Sequence, residues 1–293
     1  MPKLFLRILV IVSLAGCQVA GIPCPADKGI FAAATARAQD LSYLLDLDPD
    51  AVTNRDLYDR AVALQENYQQ HHSVNGILWE ARYAEAGDVQ PTLYGTGGDS
   101  AIFTGFYLAG AVYRFRATGL PGDLQAVFEA ARGLHILTHI SGTPGVLVRC
   151  AFPAARAAEW RYPEAWEERI EDGYVYESSD DVPDIGDPAA CYPVMIYYSR
   201  ATRDQLTGIL YGTGVALAEL DPADYSGEMA LDVIEVRDIL QEVIRAVWGR
   251  LKSTGFIIRD QEGKTGTTAS LVTGLLRLQL LAVYRAALEG REG

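Results

Sequence analysis

Positive charge is the first thing this chain lacks. Against 38 Asp and Glu residues it carries 25 Lys and Arg, a formal net charge of −13 over 293 residues. Nucleic-acid phosphates demand clustered Lys and Arg, so DNA and RNA are excluded as partners. Cysteine is also scarce, at four residues. None has the C-x-x-C or Cys/His spacing of a zinc site. No apolar run reaches the roughly 20 residues that a membrane-spanning helix needs. Strand signals are few: most of the chain has periods of three and four, which mark helices facing a core.

What is present begins at the amino terminus. Lys3 and Arg7 give a positive start, Ile8-Leu9-Val10-Ile11-Val12 a compact apolar run, and Leu14-Ala15-Gly16-Cys17 a small-residue close before a cysteine. The run has the length of a signal-peptide core. The pattern resembles the bacterial lipobox. That resemblance implies a signal peptide over residues 1–16, cleavage before Cys17, and acylation of Cys17, with residues 17–27 as an acylated tether. It further implies a lipid-anchored envelope location, reached through the anchor alone. Gln18 rather than Asp after the cysteine points to the outer membrane where the source has two. Removing Lys3 and Arg7 with the leader takes the formal charge from −13 to −15 and leaves about 277 residues. No polybasic patch helps the acyl chains hold the surface.

An exported chain meets oxidising conditions. Cys150 and Cys191 flank one long segment and are the expected disulfide; three separate thiols, with Cys24 in the tether, is the other arrangement. Helices are expected over 28–46 and over 54–70, where Leu57, Ala61, Leu64 and Tyr68 share a stripe and Asn54 is a cap. A helix from Asp99 to about Ala117, a break at Thr118–Gly122, and a second helix capped by Asp123 make an antiparallel αα-hairpin. Residues 146–198 read as a mostly irregular loop holding Trp160, Trp166, five tyrosines ahead of Tyr198 and the acidic run Ser178–Asp184. A second hairpin spans Thr202–Leu220 and Val233–Ser253. Gly255–Asp260 is a short extended piece, and a last helix runs from Thr267 to Leu288.

Three of these helix starts carry a Thr-Gly pair: Thr104-Gly105, Thr207-Gly208 and Thr273-Gly274. Glycine costs about 1 kcal/mol against alanine inside a helix, and close approach of neighbouring helices is the natural reason for it. Repeated at equivalent sites, it suggests stacked hairpins whose inner helices converge. The fold class is therefore mainly α, with antiparallel αα-hairpins. The arrangement resembles the (α/α) toroid, or six-hairpin, architecture of many glycoside hydrolases, polysaccharide lyases and sugar epimerases. The resemblance covers roughly residues 28–290 of a single expected domain, 28–293, as a complete ring, an incomplete ring or a looser helical bundle.

That resemblance implies a site at the inner-helix ends. Asp99 and Asp204 are the candidate catalytic carboxylates; at a helix start, where the dipole is positive, they suit a base, a nucleophile or a cation ligand. Capping is the competing role for each. Tyr94, Arg149, Trp166, Tyr198, Arg203 and Tyr211 are the candidate substrate contacts, aromatic faces with a few directed polar groups. The expected ligand is a carbohydrate, handled by a hydrolase or lyase without metal or cofactor. A non-catalytic scaffold binding a glycan or an envelope protein fits the same features. His135 and His139 lie four apart as metal ligands can, but lack a third; they read as a pair at a hairpin end. Gly95-x-Gly97-Gly98 has no following Lys and is discounted as a phosphate cradle. Asp99, Asp204 and Asp180-Asp181 form a weaker cation alternative, without EF-hand spacing.

Overall fold

The computed structural model describes residues 54–85, 88, 90–95, 97–160, 175–265 and 270–289. The leader, the tether, Cys17, Cys24, the expected 28–46 helix and Trp166 lie outside them. The chain is mainly helical with small antiparallel sheets. Its described residues fall into two compact units: Asn54–His72 with Glu80–Leu93, and Ser73–Trp79 with Tyr94 onward.

The first unit is built on helix α1 (Asn54–Asn67), which widens into a π-helical turn over Tyr68–His72. The Tyr68 and His72 rings meet edge to face at 5.4 Å. Leu57, expected on the buried stripe, is 53% exposed.

The second unit opens with a two-stranded hairpin, β1 (Ser73–Val74) and β2 (Ile77–Leu78). Asn75 and Gly76 both take positive φ, 51° and 76°. Asn-Gly is the preferred pair for this turn because its twist matches that of the strands. Two more two-residue strands, β3 (Ala81–Arg82) and β4 (Leu93–Tyr94), follow in chain order. Helix α2 (Ser100–Thr118) follows; Gly119, with φ 65°, ends it by donating its N–H to Phe115. Helix α3 (Pro121–His139) starts at proline, whose missing N–H costs nothing there. Asp123 is not its cap, as the sequence suggested. Leu120 holds the N-cap position, and Asp123 is buried inside the first turn, with Arg114 Nε 2.8 Å away and Thr118 Oγ1 donating to it. The carboxylate thus pins the hairpin closed.

The described parts of residues 146–198 are more regular than expected. Strands β5 (Cys150–Pro153), β6 (Val175–Glu177) and β9 (Met195–Tyr198) form an antiparallel sheet in the order β5-β9-β6. Between them β7 (Pro183–Asp184) and β8 (Asp187–Cys191) make a small ribbon. The expected Cys150–Cys191 disulfide is absent. Cys150 is buried in β5, opposite Tyr198, whereas Cys191 is exposed at the end of the ribbon. Sheet register, not a covalent bridge, joins the segment's ends.

Helix α4 (Arg203–Glu219) and helix α5 (Glu228–Ser253) form the second hairpin, and α6 (Gly274–Glu289) packs on both. Arg237 closes this hairpin by donating Nη1 to the Leu217 and Leu220 carbonyls, at 2.8 and 2.5 Å. The expected stripe on α5 is the core: Val236, Ile239, Leu240, Val243, Val247 and Leu251 are all at most 2% exposed. Each such side chain contributes roughly 1.5–3 kcal/mol when buried. Helix α2 packs beside α4, and α3 beside α5. Asp99 and Gln205 meet at the starts of α2 and α4, and Arg116 in the last turn of α2 meets Asp224 just past the end of α4, so those two helices run parallel. The hairpins therefore stack in the same sense.

Two of the three Thr-Gly pairs mark that stacking. A Cβ on Gly105 would strike the Gly208 carbonyl, and one on Gly208 would lie 2.5 Å from Ile102 Cα. The third differs. Gly274 is the first residue of α6 and has nothing within contact range. It begins the helix rather than sitting inside it, so close packing is not its reason.

Candidate functional site

The glycine contact of α2 and α4 brings their first turns together. Asp99 stands at the N-cap position of α2 but makes no capping bond. Its side chain is 52% exposed. Oδ1 accepts from Gln205 Nε2 at 3.2 Å and faces Arg149 Nη2 at 3.5 Å. An ion pair that long and that exposed adds little stability; it orients the carboxylate. Among the described residues no side chain engages Oδ2.

Gln205 organises this junction. It is fully buried and sits at the third residue of α4, where its Oε1 accepts from the Thr202 N–H and the Thr202 hydroxyl, each at 2.8 Å. This is a capping box. Its Nε2 crosses to α2, donating to Gly98 O at 3.1 Å as well as to Asp99. One amide therefore satisfies the start of one helix and positions the carboxylate of the next. The Thr202-x-x-Gln205 spacing announces the cap; nothing in the sequence announces the reach to Asp99.

Arg149 completes the wall. Its Nε donates to Gly98 O at 2.7 Å, and its guanidinium lies 5.6 Å from the Tyr198 ring centroid, within cation–π range. Backbone bonds fix the frame: Ala101 N–H to Arg149 O at 3.0 Å, and Arg149 N–H to Tyr198 O at 2.8 Å. Asp99, Arg149 and Tyr198 are thus brought together. Asp204 is exposed and Arg203 half-buried on the first turn of the adjoining α4. Tyr211 lies two turns along α4, its ring 5.2 Å from Phe106.

Tyr94 does not belong to the site. It is 6% exposed and packs with Trp79, Phe152 and Trp160; its ring is 5.3 Å from Phe152 and 6.4 Å from Trp79. Trp79 is 1% exposed, its ring 4.7 Å from Trp160. These aromatics are core, and a sugar has no access to their faces.

A second polar cluster lies between α3, α5 and the ribbon. The His135 and His139 rings stack at 3.9 Å and 7°. His135 Nδ1 is 3.0 Å from the Tyr192 hydroxyl, which also accepts from the Ile185 N–H at 3.3 Å. Arg132 holds the buried Asp184 with two bonds, Nε to Oδ1 at 2.9 Å and Nη2 to Oδ2. On the other side His139 Nε2 faces Glu242 at 3.9 Å. Burial and then His139 push His135 down to about 3, so the ring is neutral. The cluster fastens the ribbon to α3. Among the described residues no three carboxylate, imidazole or thiolate groups gather where a metal could be held.

Compared with known proteins, the chain matches no family model, no curated protein and no solved structure.

Proposed function

We propose that this chain is a lipid-anchored, carbohydrate-active protein of the bacterial cell envelope, a glycoside hydrolase or polysaccharide lyase whose site lies at the inner-helix starts of an (α/α) toroid. Parallel stacking of two hairpins supports the toroid. The observation that carries the activity is the Asp99 carboxylate, held at Oδ1 by Gln205 and Arg149 while no described residue engages Oδ2. A carboxylate so oriented suits a base or nucleophile. Asp204, on the neighbouring helix start, is its partner, since glycosidase chemistry uses two carboxyl groups across one bond. Arg149, Arg203 and Tyr198 orient sugar hydroxyls, and the anchor is the acylated Cys17. A non-catalytic glycan-binding scaffold is the second reading, favoured by Asp99 being tied to Gln205 and Arg149, as a structural joint between helices would be.

The test is turnover of envelope, plant and algal polysaccharides by the full chain, reading new reducing ends and unsaturated-sugar absorbance. Asp99→Asn and Asp204→Asn are expected to lower turnover at least 100-fold with folding intact. Absorbance with new ends means a lyase, new ends alone a hydrolase. No turnover on any substrate would move the assignment to the scaffold.

A further inference from the structure

Beyond Asp99, the exposed seam of α2 and α4 carries three aromatic rings. Phe106 is 45% and Tyr113 49% exposed, and Tyr211 lies half-buried between the two helices. Phe106 and Tyr211 are tilted by 57° at 5.2 Å. Tyr113 neighbours Tyr211 and Glu219: burial first, then those two groups, raise its phenol above the usual range. A single exposed aromatic needs no explanation, but a cluster on one face does.

The residue between them is more telling. Gly110 lies one turn after Phe106 and one before Tyr113, on the same face. Gly105 on this helix is required by the Gly208 carbonyl, but among the described residues a Cβ on Gly110 would touch nothing. The residue weakens the helix without serving a neighbour. Aromatic, glycine, aromatic is thus a shallow dip with ring walls, beginning about 10 Å along the helix from Asp99 and running about 10 Å further.

We propose that this seam is a track for a neutral glycan chain, whose sugar faces lie over Phe106, Tyr211 and Tyr113 and whose backbone passes above Gly110 toward Asp99. The inference rests on the carbohydrate reading above and adds its substrate class: a chain of several sugars, uncharged. Aromatic faces take the C–H side of a pyranose, while the Tyr113 hydroxyl and Glu219 take its hydroxyls. Glu219 and the net charge of −13 repel uronates.

Isothermal titration of the full chain, in a detergent without sugar, tests this with cellohexaose, chitohexaose, glucose, N-acetylglucosamine and hexagalacturonate. One neutral hexaose is expected to bind at least 100-fold more tightly than its monomer. Gly110→Leu should weaken it at least 10-fold while raising Tm by about 2 °C, because the new side chain fills the dip and favours the helix. Phe106→Ala should weaken it similarly. The track is overturned if neither neutral hexaose binds, if hexagalacturonate binds best, or if Gly110→Leu leaves binding unchanged. Sedimentation showing a dimer that Tyr113→Ala dissociates would instead give the face to a second copy of the chain. Turnover lost in Asp99→Asn but indifferent to the seam variants would sink the track and leave the enzyme reading standing. Hexaose binding that needs the seam, without turnover, would keep the track and make the protein a glycan binder.

Discussion

His135 shows how neighbours fix a single side chain's charge. Its ring lies against His139, and its Nδ1 is committed to Tyr192, a residue only 2% exposed. Burial and His139 hold its pKa near 3, against smaller opposite pulls from Glu242 and Asp184. The sign follows directly. As pH falls through 6.5 the unfolded chain takes up a proton that the folded chain refuses until about 3. His135's contribution is therefore complete above pH 6.5 and is lost as pH falls through the window from 6.5 to 3. The slope is about 1.4 kcal/mol per pH unit, so about 2 kcal/mol is lost between pH 7 and pH 5. Glu242, whose pKa is lowered chiefly by His139, acts only below its ordinary 4.5 and stays out of this range. Urea unfolding at pH 7 and pH 5 measures the fall, and His135→Asn should show about 2 kcal/mol less of it than the wild type. Equal falls in the two proteins would mean that His135 titrates freely. The spacing of 135 and 139 was legible as two rings on one face. Tyr192 and Asp184 were not, because they reach the pair from a ribbon some 50 residues further along.

The helix pair α2 and α4 is positioned by backbone contact, and this is where sequence and structure agree most closely. A glycine inside a helix asks for a reason, and at Gly105 and Gly208 the reason is the neighbouring helix. Gly208→Ala puts a methyl group 2.5 Å from Ile102 Cα, against backbone that cannot rotate away. Overpacking of this kind costs about 1–3 kcal/mol. It also parts the helix starts, so the bond from Gln205 to Asp99 is expected to lengthen and turnover or binding to fall with Tm. Gly249→Ala, on α5 with nothing nearby, is the control and should stabilise by up to about 1 kcal/mol. Equal Tm changes in the two variants would deny that the crossing is tight. Other elements were harder to read. The Asn75-Gly76 hairpin carries a strong local signal but has strands of only two residues, too short for alternation to register. The β5-β9-β6 sheet hid for another reason: Cys150-Ala151-Phe152-Pro153 is buried on both faces, and its partner strand lies more than 40 residues away. Tyr94 was misread because an aromatic beside glycines resembles a ligand platform; here the glycine makes room for Trp79, which a Cβ on Gly97 would strike.

At the scale of the whole molecule, charge and helical content are properties of composition and period, and both were legible. Closure of a ring depends on contacts between distant helices, which no local pattern states. The same scale decides how the proposed membrane anchor would work. Among the described residues no helix is long and apolar enough to cross one. With a net charge of −13 the protein is repelled by anionic lipid surfaces rather than drawn to them. Under the anchoring proposed above, attachment would fall to the segment ending in Leu14-Ala15-Gly16-Cys17. A single acyl chain binds a bilayer only reversibly, so stable attachment needs more than one, which an acylated thiol together with an acylated amino terminus would supply. Cells fed labelled palmitate should incorporate it into the wild-type chain, which should stay in the membrane fraction through a high-salt wash. Cys17→Ser should carry no label and, left uncleaved, should migrate as the longer precursor. A wild-type chain that washes off with salt would refute the anchor, and a labelled Cys17→Ser chain would place the acyl group on a different residue, with Cys24 and the exposed Cys191 the next to test.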